Sequence, residues 1–514
     1  MSEDGFFDDA MDDSEITEGD EGDYDDSMRG FEEDTDDGDS AFEAISTLDK
    51  GKQKSYQIDF SVLEKDQIVA AQEGEIAHVS GIAGIKPTEA AILLRHYGWN
   101  KEKVIERYLT DSDKTLLEAG IHTDSKRQPK LSVKQGFVCD VCYDDTTKES
   151  IALSCNHRYC KDCYSHYLEQ KIAEEGESRR IQCMGSECSL IVDEKTIALL
   201  VSPPVLNKYR HLLNRTYVDD DPTLRWCPAP GCDHAIRCTI PLRSLTSIVP
   251  TVQCKCGKTF CFGCGRDDHQ PCICAIVNLW LKKCEDDSET ANWISANTKE
   301  CTKCHSTIEK NGGCNHMTCK KCKWEFCWVC MGPWSEHGTS WYNCNRFEDK
   351  GEAKDAISKS RVALERYLHY YNRYSNHEQS AKLEKDVYAR IEKKMEEIQQ
   401  SSKLSWIEVQ FMKRAVDTLG KCRATLKWTY AMAFYLKRTT QTELFEANQS
   451  DLEHAVEQLS ELLEKPIEAE NIPQLRQETT DKTVYVEKRN ETMLSDTAGG
   501  FQEDRWEFSV PLEH

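Results

Sequence analysis

Residues 301–344 read CTKCHSTIEKNGGCNHMTCKKCKWEFCWVCMGPWSEHGTSWYNC, and they hold one cysteine more than their metal chemistry uses. Three Cys-x-x-Cys pairs, Cys301/Cys304, Cys319/Cys322 and Cys327/Cys330, are followed by His337 and Cys344, and these eight soft ligands fill two tetrahedral zinc sites. Taken in chain order, the sites are Cys301, Cys304, Cys319, Cys322 and then Cys327, Cys330, His337, Cys344. Cys314 is left over. It follows Gly312-Gly313, where the backbone turns sharply and leaves a thiol approachable, and His316 stands two residues on. A thiol of pKa about 8.5 becomes a usable thiolate at neutral pH only beside a cation or a metal, and Lys310, His316 and two zinc sites are near in sequence. Cys314 is therefore a candidate nucleophile. The alternatives are a spare buried cysteine, or a ligand set that includes His305 or His316.

A chain of 514 residues exceeds what one hydrophobic core serves, so several domains are expected. No apolar run approaches membrane-spanning length and the Met-Ser-Glu-Asp start is no signal peptide, which makes a soluble, intracellular protein with no membrane partner the expectation. All 26 cysteines except Cys422 lie between Cys139 and Cys344, and in a reducing compartment such clustering means metal or catalysis rather than disulfides. The formal charge of -25 is localised: residues 1–40 hold 19 Asp/Glu against the single Arg29, leaving about -7 for the rest. Neither part offers the basic face that nucleic acid requires. Residues 1–50, rich in Asp, Glu, Gly and Ser, bury too little apolar surface to fold and are expected to be a disordered acidic tail.

Between 75 and 125, EIAHVSGIAGIKPTEAAILLRHYGWNKEKVIERYL alternates helix-like runs with breaks. Pro87 suits a first helical turn, Ala90, Ala91, Leu93 and Leu94 make an apolar face, and Tyr97-Gly98-Trp99-Asn100 reads as a turn before Val104, Ile105 and Tyr108. Three short helices of this size resemble a ubiquitin-associated (UBA-like) domain.

Two further cysteine clusters precede the first. Cys139-x2-Cys142, Cys155-x-His157-x2-Cys160-x2-Cys163 and Cys183-x4-Cys188, within residues 135–200, resemble a RING finger. The resemblance implies cross-braced zinc sites, one of Cys139, Cys142, Cys160 and Cys163, the other of Cys155, His157, Cys183 and Cys188. It also implies that Val141 touches a ubiquitin-conjugating enzyme, and that Ser189, where adaptor RINGs often carry Arg, leaves the charged enzyme unprovoked toward lysine. Cys227-x4-Cys232, Cys254-x-Cys256-x4-Cys261-x2-Cys264-x4-His269-x4-Cys274, within residues 205–275, resemble an in-between-RING domain. That family holds zinc at positions matching Cys227, Cys232, Cys254 and Cys256, and again at Cys261, Cys264, His269 and Cys274. Seven Cys and one His per cluster, three times over, make ligands for six zinc ions, and Cys238, Cys272, Cys284, Cys314 and Cys422 remain. Cys284 and Cys422 fall in helix-like stretches as core residues, and Cys238 and Cys272 are alternative ligands within their cluster.

This order of modules is the layout of RING-between-RING ubiquitin ligases, and IEKNGGCNHM at 308–317 with WYNCNR at 341–346 resembles their Ariadne subfamily. The resemblance makes 276–297 a helical linker and 298–347 the catalytic second RING. Past Cys344, Phe411, Met412, Ala415, Val416, Leu419, Cys422 and Leu426 recur at helical spacing, as do Leu452, Val456, Leu459 and Leu463, so 352–495 reads as a helical bundle with a tail at 496–514. The stripe Tyr367, Tyr370, Tyr371 and Tyr374 reads as packing. SRVALERYLHYYNRY and DLEHAVEQLSELLE resemble the Ariadne domain. The expected fold is thus multidomain: small zinc-bound modules, an N-terminal UBA-like helical domain, a C-terminal all-α bundle and an acidic tail.

The resemblance implies a ligase that takes ubiquitin from a conjugating enzyme onto Cys314 and passes it to a protein substrate lysine. His316 is placed to act as general base in the second step, and Glu309 matches the subfamily's assisting carboxylate. By the same resemblance Leu383, Glu384 and Glu457 hold the helical domain over the nucleophile, Leu383 standing where an aromatic is often found. Release is expected from a neddylated cullin-RING ligase read by the UBA-like region, and the location is cytoplasmic, with the nucleus as a second site. Each structural zinc supplies on the order of 10–16 kcal/mol that doubles as folding energy in modules with so little apolar core. Cys314→Ala is therefore expected to keep the full zinc complement and melting temperature, whereas Cys319→Ala releases metal; elemental analysis of the purified variants checks both.

Overall fold

The computed structural model describes residues 54–122, 129–145, 149–286, 298–310, 313–337, 344–347, 356–401, 410–465 and 472–512. The tail at 1–50, residues 287–297 of the expected linker, Gly312 and Trp341 to Asn343 lie outside the described residues. From residue 61 the chain forms a strand, β1 (Ser61–Leu63), and then helices α1 (Lys65–Ala83), α2 (Pro87–His96), α3 (Lys101–Thr110) and α4 (Ser112–Glu118). Pro87 opens α2, Gly98 and Trp99 make the turn at φ 61° and 57°, and the Asn100 side chain caps α3 by accepting from the Lys103 N–H. The helical region begins about ten residues before the expected 75, at Lys65. Its period is hard to read in α1 because Gly74, Gly81 and several alanines dilute the apolar face, and one buried position is the polar Gln72.

The first cysteine cluster is framed by β2 (Ser132–Val133), β3 (Glu149–Ala152) and β4 (Arg158–Cys160), an antiparallel sheet in that order. Helix α5 (Lys161–Glu169) follows, with a π-turn at Gln170–Glu174, then α6 (Glu194–Leu200). Ile151, Tyr164, Leu168 and Ile197 make its small core. The long helix α7 (Pro203–Asp220) leads to the second cluster, with β5 (Leu224–Trp226), β6 (Ala235–Arg237), β7 (Thr251–Gln253) and β8 (Thr259–Cys261). β1 adds to this module as a third strand, Ser61 opposite Arg237, so the UBA-like helices are held from both ends. They pack on α7 through Ile68, Leu93, Leu94, Trp99 and Tyr217, with Gln72 donating to Asn214 at 2.8 Å and Arg95 to the Tyr209 hydroxyl at 3.1 Å.

Helix α8 (Cys274–Asp286) precedes the third cluster, which consists of two hairpins, β9 (Thr298–Glu300) with β10 (Thr307–Glu309) and β11 (His316–Thr318) with β12 (Glu325–Cys327). The bundle follows as α9 (Ala356–Ser401), α10 (Gln410–Tyr435), α11 (Thr440–Glu464) and α12 (Ile472–Gln502). Its core contains Met412, Ala415, Leu419, Cys422 and Leu426 with Leu452, Val456, Leu459 and Leu463, the positions that recur at helical spacing. Tyr367, Tyr370 and Tyr374 are buried in it, and Trp280 of α8 sits edge-on to Tyr374 at 5.3 Å. Cys238 and Cys272 are buried core residues outside the ligand groups described below. Among the described residues no helix is long and apolar enough to cross a membrane.

The bundle does not end at 495. Helix α12 runs to Gln502, and the chain then folds back: Lys437 N–H donates to Glu507 at 2.8 Å and Ser509 N–H to Tyr435 at 2.7 Å, while Trp506 is buried and its indole donates to Thr497 at 3.0 Å. Past Gln502 the chain carries no helical period, because its packed residues, Trp506, Phe508, Val510 and Leu512, meet the bundle from an extended segment. A Cβ on Gly500 would stand 2.3 Å from the Trp506 ring. Gly500→Ala is expected to destabilise the bundle by about 1–3 kcal/mol through overpacking, read as a lower melting temperature with red-shifted tryptophan fluorescence.

Candidate active site and metal centres

Zinc bound by thiolates at about 2.3 Å in a tetrahedron sets its sulfurs about 3.8 Å apart, far beyond a disulfide. The sulfurs stand at that spacing: Cys142 to Cys160 3.8 Å, Cys155 to Cys183 3.6 Å, Cys227 to Cys256 3.6 Å, Cys261 to Cys274 3.7 Å and Cys304 to Cys319 3.7 Å. The ligand atoms of Cys139, Cys142, Cys160 and Cys163 gather in one group, and those of Cys155, His157, Cys183 and Cys188 in another. So do Cys227, Cys232, Cys254 and Cys256; Cys261, Cys264, His269 and Cys274; and Cys301, Cys304, Cys319 and Cys322. In the remaining set Cys330 Sγ lies 3.2 Å from His337 Nε2, and Cys327 faces Cys330 and Cys344. His269 Nδ1 hydrogen-bonds the Cys272 carbonyl at 2.6 Å and His337 Nδ1 that of Pro333 at 3.2 Å, which puts the proton on Nδ1 and frees Nε2 for a metal. The clusters fit zinc.

Cys314 stands apart from these groups, on the loop between β10 and β11. It is 4% exposed. The Cys314 N–H donates to Glu464 Oε1 at 3.4 Å, and the next residue is gripped harder: Asn315 N–H donates to Glu457 Oε2 at 2.6 Å and Asn315 Nδ2 to Glu457 Oε1 at 3.0 Å. Behind Glu457, Arg423 Nη1 donates to Oε1 at 3.0 Å. Lys310, buried on the same loop, donates to Asn315 Oδ1 at 3.1 Å, Asn376 Oδ1 at 2.9 Å and Ser380 Oγ at 2.8 Å. Burial above all, and then the carboxylates of Glu457 and Glu464, push the Cys314 thiol well above its ordinary value. Burial and the two carboxylates thus outweigh the neighbouring cations from which a thiolate was expected.

His316, on β11, donates its N–H to Cys314 Sγ at 3.3 Å. Its ring stacks on Trp334 at 4.2 Å, with Nε2 3.5 Å from Glu325 Oε2. Glu309 is exposed on β10 and makes no hydrogen bond or ion pair with His316 or Cys314 among the described residues. Val141 is 52% exposed beside Tyr143 at 80%, an apolar knob on the first cluster. The bundle also holds the far end of the third cluster: Arg373 donates to the Cys344 carbonyl and His369 Nε2 to that of Asn345 at 3.0 Å. Burial, with Arg373 adding to it, pushes His369 down to about 3, so the ring is neutral and donates. Leu383 is half-buried on α9, and the Glu384 side chain lies outside the described residues.

Comparison with known proteins follows this anatomy. Residues 70–110 match a UBA-like domain described for E3 ubiquitin-protein ligase ARIH1, 139–186 a C3HC4-type RING finger and 207–274 an IBR domain, a half RING-finger domain. Residues 296–345 match a further IBR domain and 365–494 the Ariadne domain. The chain is 50% identical to E3 ubiquitin-protein ligase dbl4 of Schizosaccharomyces pombe over 468 residues, 91% of this chain and 92% of that one. The chain belongs to the Ariadne family of RING-between-RING E3 ubiquitin-protein ligases. It is also 44% identical to ARIH1 of Homo sapiens (87% of this chain, 82% of that one) and 43% identical to ariadne-1 of Drosophila melanogaster (98% and 99%).

As an Ariadne-family ligase the protein works with a ubiquitin-conjugating enzyme and ubiquitin. Its Ariadne helices α9, α10 and α11 supply the groups that cover Cys314, and of these sequence reading named only Glu457. Asn315, Asn376, Ser380, Arg423 and Glu464 were missed, although Asn315 lies between two residues that had been singled out; Lys310, named as a cation near Cys314, instead bonds Asn315, Asn376 and Ser380. A raised thiol holds its proton through the pH range where a free cysteine, of pKa about 8.5, already yields thiolate. Alkylation of Cys314 by iodoacetamide at pH 8 is expected to be at least tenfold slower than that of a free thiol and to rise only well into the alkaline range. Glu457→Ala with Glu464→Ala moves that onset to lower pH; peptide mass mapping reads both.

Proposed function

We propose that ubiquitin reaches a substrate lysine by way of a thioester on Cys314. The observation that carries this reading is that Cys314 stands outside every ligand group, with its sulfur held by the His316 N–H and its loop braced by buried polar bonds. The conjugating enzyme docks on the Val141 knob. Cys314 then attacks the thioester, and in the second step His316 takes the proton of the incoming amine, steadied by Glu325 or, in an opened loop, by Glu309. Six zinc ions, when bound, supply structure and no open coordination position, because each set offers four protein ligands.

In this reading the arrangement over Cys314 is the closed state of a switch. Opening requires the Ariadne helices to leave the loop, and weakening the interface by about 1.4 kcal/mol raises a minor open population roughly tenfold. A neddylated cullin-RING ligase, engaged by the UBA-like helices, is the partner that the resemblance supplies for this step. Leu383, Glu384 and Glu457 replaced together by alanine are expected to raise Cys314 loading about tenfold or more over the full-length wild type, seen as a thiol-labile ubiquitin adduct on non-reducing gels. Cys314→Ser converts that adduct to a thiol-resistant, hydroxide-labile ester. In the opened background His316→Ala still loads but discharges about 10²–10⁴-fold more slowly. An opened, zinc-replete variant that never carries ubiquitin would leave an adaptor RING, acting without its own thioester.

A further inference from the structure

Acyl transfer to a cysteine needs more than a nucleophile. As sulfur adds to the thioester carbon, the carbonyl π pair moves onto oxygen, and fixed N–H donors aimed at that oxygen are usually the largest single catalytic contribution. The backbone N–H of the residue following a nucleophile is well placed for this, because it opens on the side where the attacked carbonyl lies. Here that residue is Asn315, and its donors already hold an anion. Its backbone N–H meets Glu457 Oε2 at 2.6 Å, a short bond of the kind a negatively charged acceptor makes, and its Nδ2 meets Oε1 at an ordinary 3.0 Å.

The amide is preset for the task. Asn315 Oδ1 accepts from Lys310 Nζ at 3.1 Å and from Asn376 Nδ2 at 3.0 Å, which fixes the side chain with Nδ2 outward. The ammonium on the carbonyl end also polarises the amide and strengthens Nδ2 as a donor. Lys310 belongs to the catalytic loop, so it stays with Asn315 when the helices leave. The loop carbonyl is tied down as well, with Trp328 N–H donating to Asn315 O at 2.8 Å.

We propose that the backbone N–H and side-chain amide of Asn315 form the oxyanion site of the transfer reaction, and that the Glu457 carboxylate occupies it in the closed state as an internal stand-in for the tetrahedral oxyanion. The inference rests on the reading of Cys314 as the ubiquitin acceptor. In the first transfer the Cys314 sulfur bonds to the ubiquitin carbonyl carbon. The oxyanion forms against Asn315, and its collapse breaks the bond to the conjugating enzyme's sulfur, which leaves as thiolate and takes up a proton to balance the one Cys314 gave up. In the second, a lysine nitrogen bonds to the same carbon and loses its proton, the same donors hold the oxyanion, and Cys314 departs and is reprotonated. Glu457 thus blocks the site by filling it with the charge it was built to receive.

The test compares two reactions of the same thiol in the full-length, zinc-replete Glu457→Ala/Glu464→Ala protein. Transfer from a ubiquitin C-terminal mercaptoethanesulfonate thioester passes through an oxyanion, whereas alkylation by iodoacetamide is a direct displacement at carbon and forms none. Adding Asn315→Ala is expected to lower the ratio of transfer rate to Cys314 alkylation rate about 10²–10³-fold. Asn315→Asp, which keeps the shape and loses the Nδ2 donor, lowers it at least as far. An unchanged ratio in either variant, including a parallel fall of both rates, overturns the oxyanion assignment and leaves Asn315 a docking contact. If the parent alkylates at Cys314 but takes no ubiquitin from the thioester, the acceptor reading itself fails and the oxyanion site with it.

Discussion

A tetrahedron of sulfur and imidazole, with edges near 3.7 Å, reinforces the small hydrophobic cores in the middle of this protein. The strands between ligands are two to four residues long, too short to hold a fold by their own ladders. Zinc closing such a set ties together loops around small apolar cores such as Ile236, Val252 and Phe260, and metal affinity becomes folding energy. The consequence reaches the active site. The Cys314 loop spans from a hairpin anchored at Cys301 and Cys304 to one anchored at Cys319 and Cys327, so the metal clusters fix where the proposed nucleophile stands without touching it.

The helical bundle is stabilised by ordinary means, and its extra polar chemistry is concentrated where it meets that loop. Arg423 and Glu457 are both essentially buried, a pair whose desolvation offsets much of its attraction. Such a pair contributes little net stability. It does hold the carboxylate in one position, with Oε2 left over for Asn315, and a carboxylate so placed raises the neighbouring thiol while covering it. Glu457 therefore acts on Cys314 in two ways, by gripping the next residue in the closed loop and by adding its charge, beside that of Glu464, to the larger effect of burial.

How much of this was readable from the chain alone follows from the range of each interaction. Ligand spacing is local, so the runs of Cys and His marked the clusters while the resemblance supplied the membership of the first two, and the 3.6-residue period gave the bundle at Leu419, Leu452 and Val456. The strand Ser61–Leu63 was invisible because three residues carry no period and its partner, Ala235–Arg237, lies far along the chain. The fold-back of Trp506 was missed for the same reason. At the site, Cys314 was legible from ligand arithmetic, whereas Asn315, Lys310 and Glu464 acquire meaning only when α9 and α11 arrive from more than sixty residues away. Glu457 was named from resemblance, and its target was not.

The polarity of those bonds bears on reversibility. Across the interface at the loop a charged group meets a neutral one each time: Glu457 with Asn315, Glu464 with the Cys314 N–H, Lys310 with Asn376 and Ser380. Arg423 stays with Glu457 on one side, and Lys310 stays with Asn315 on the other. Separation therefore breaks hydrogen bonds that water replaces, and it strands no charge in a dry interior, where an orphan would cost about 3–5 kcal/mol. The Arg346–Glu446 pair, long at 3.9 Å and exposed on its arginine side, adds little to the balance. An interface built this way opens for a modest differential binding energy and closes again without rearranging either half, as the proposed switch over a Cys314 thioester requires.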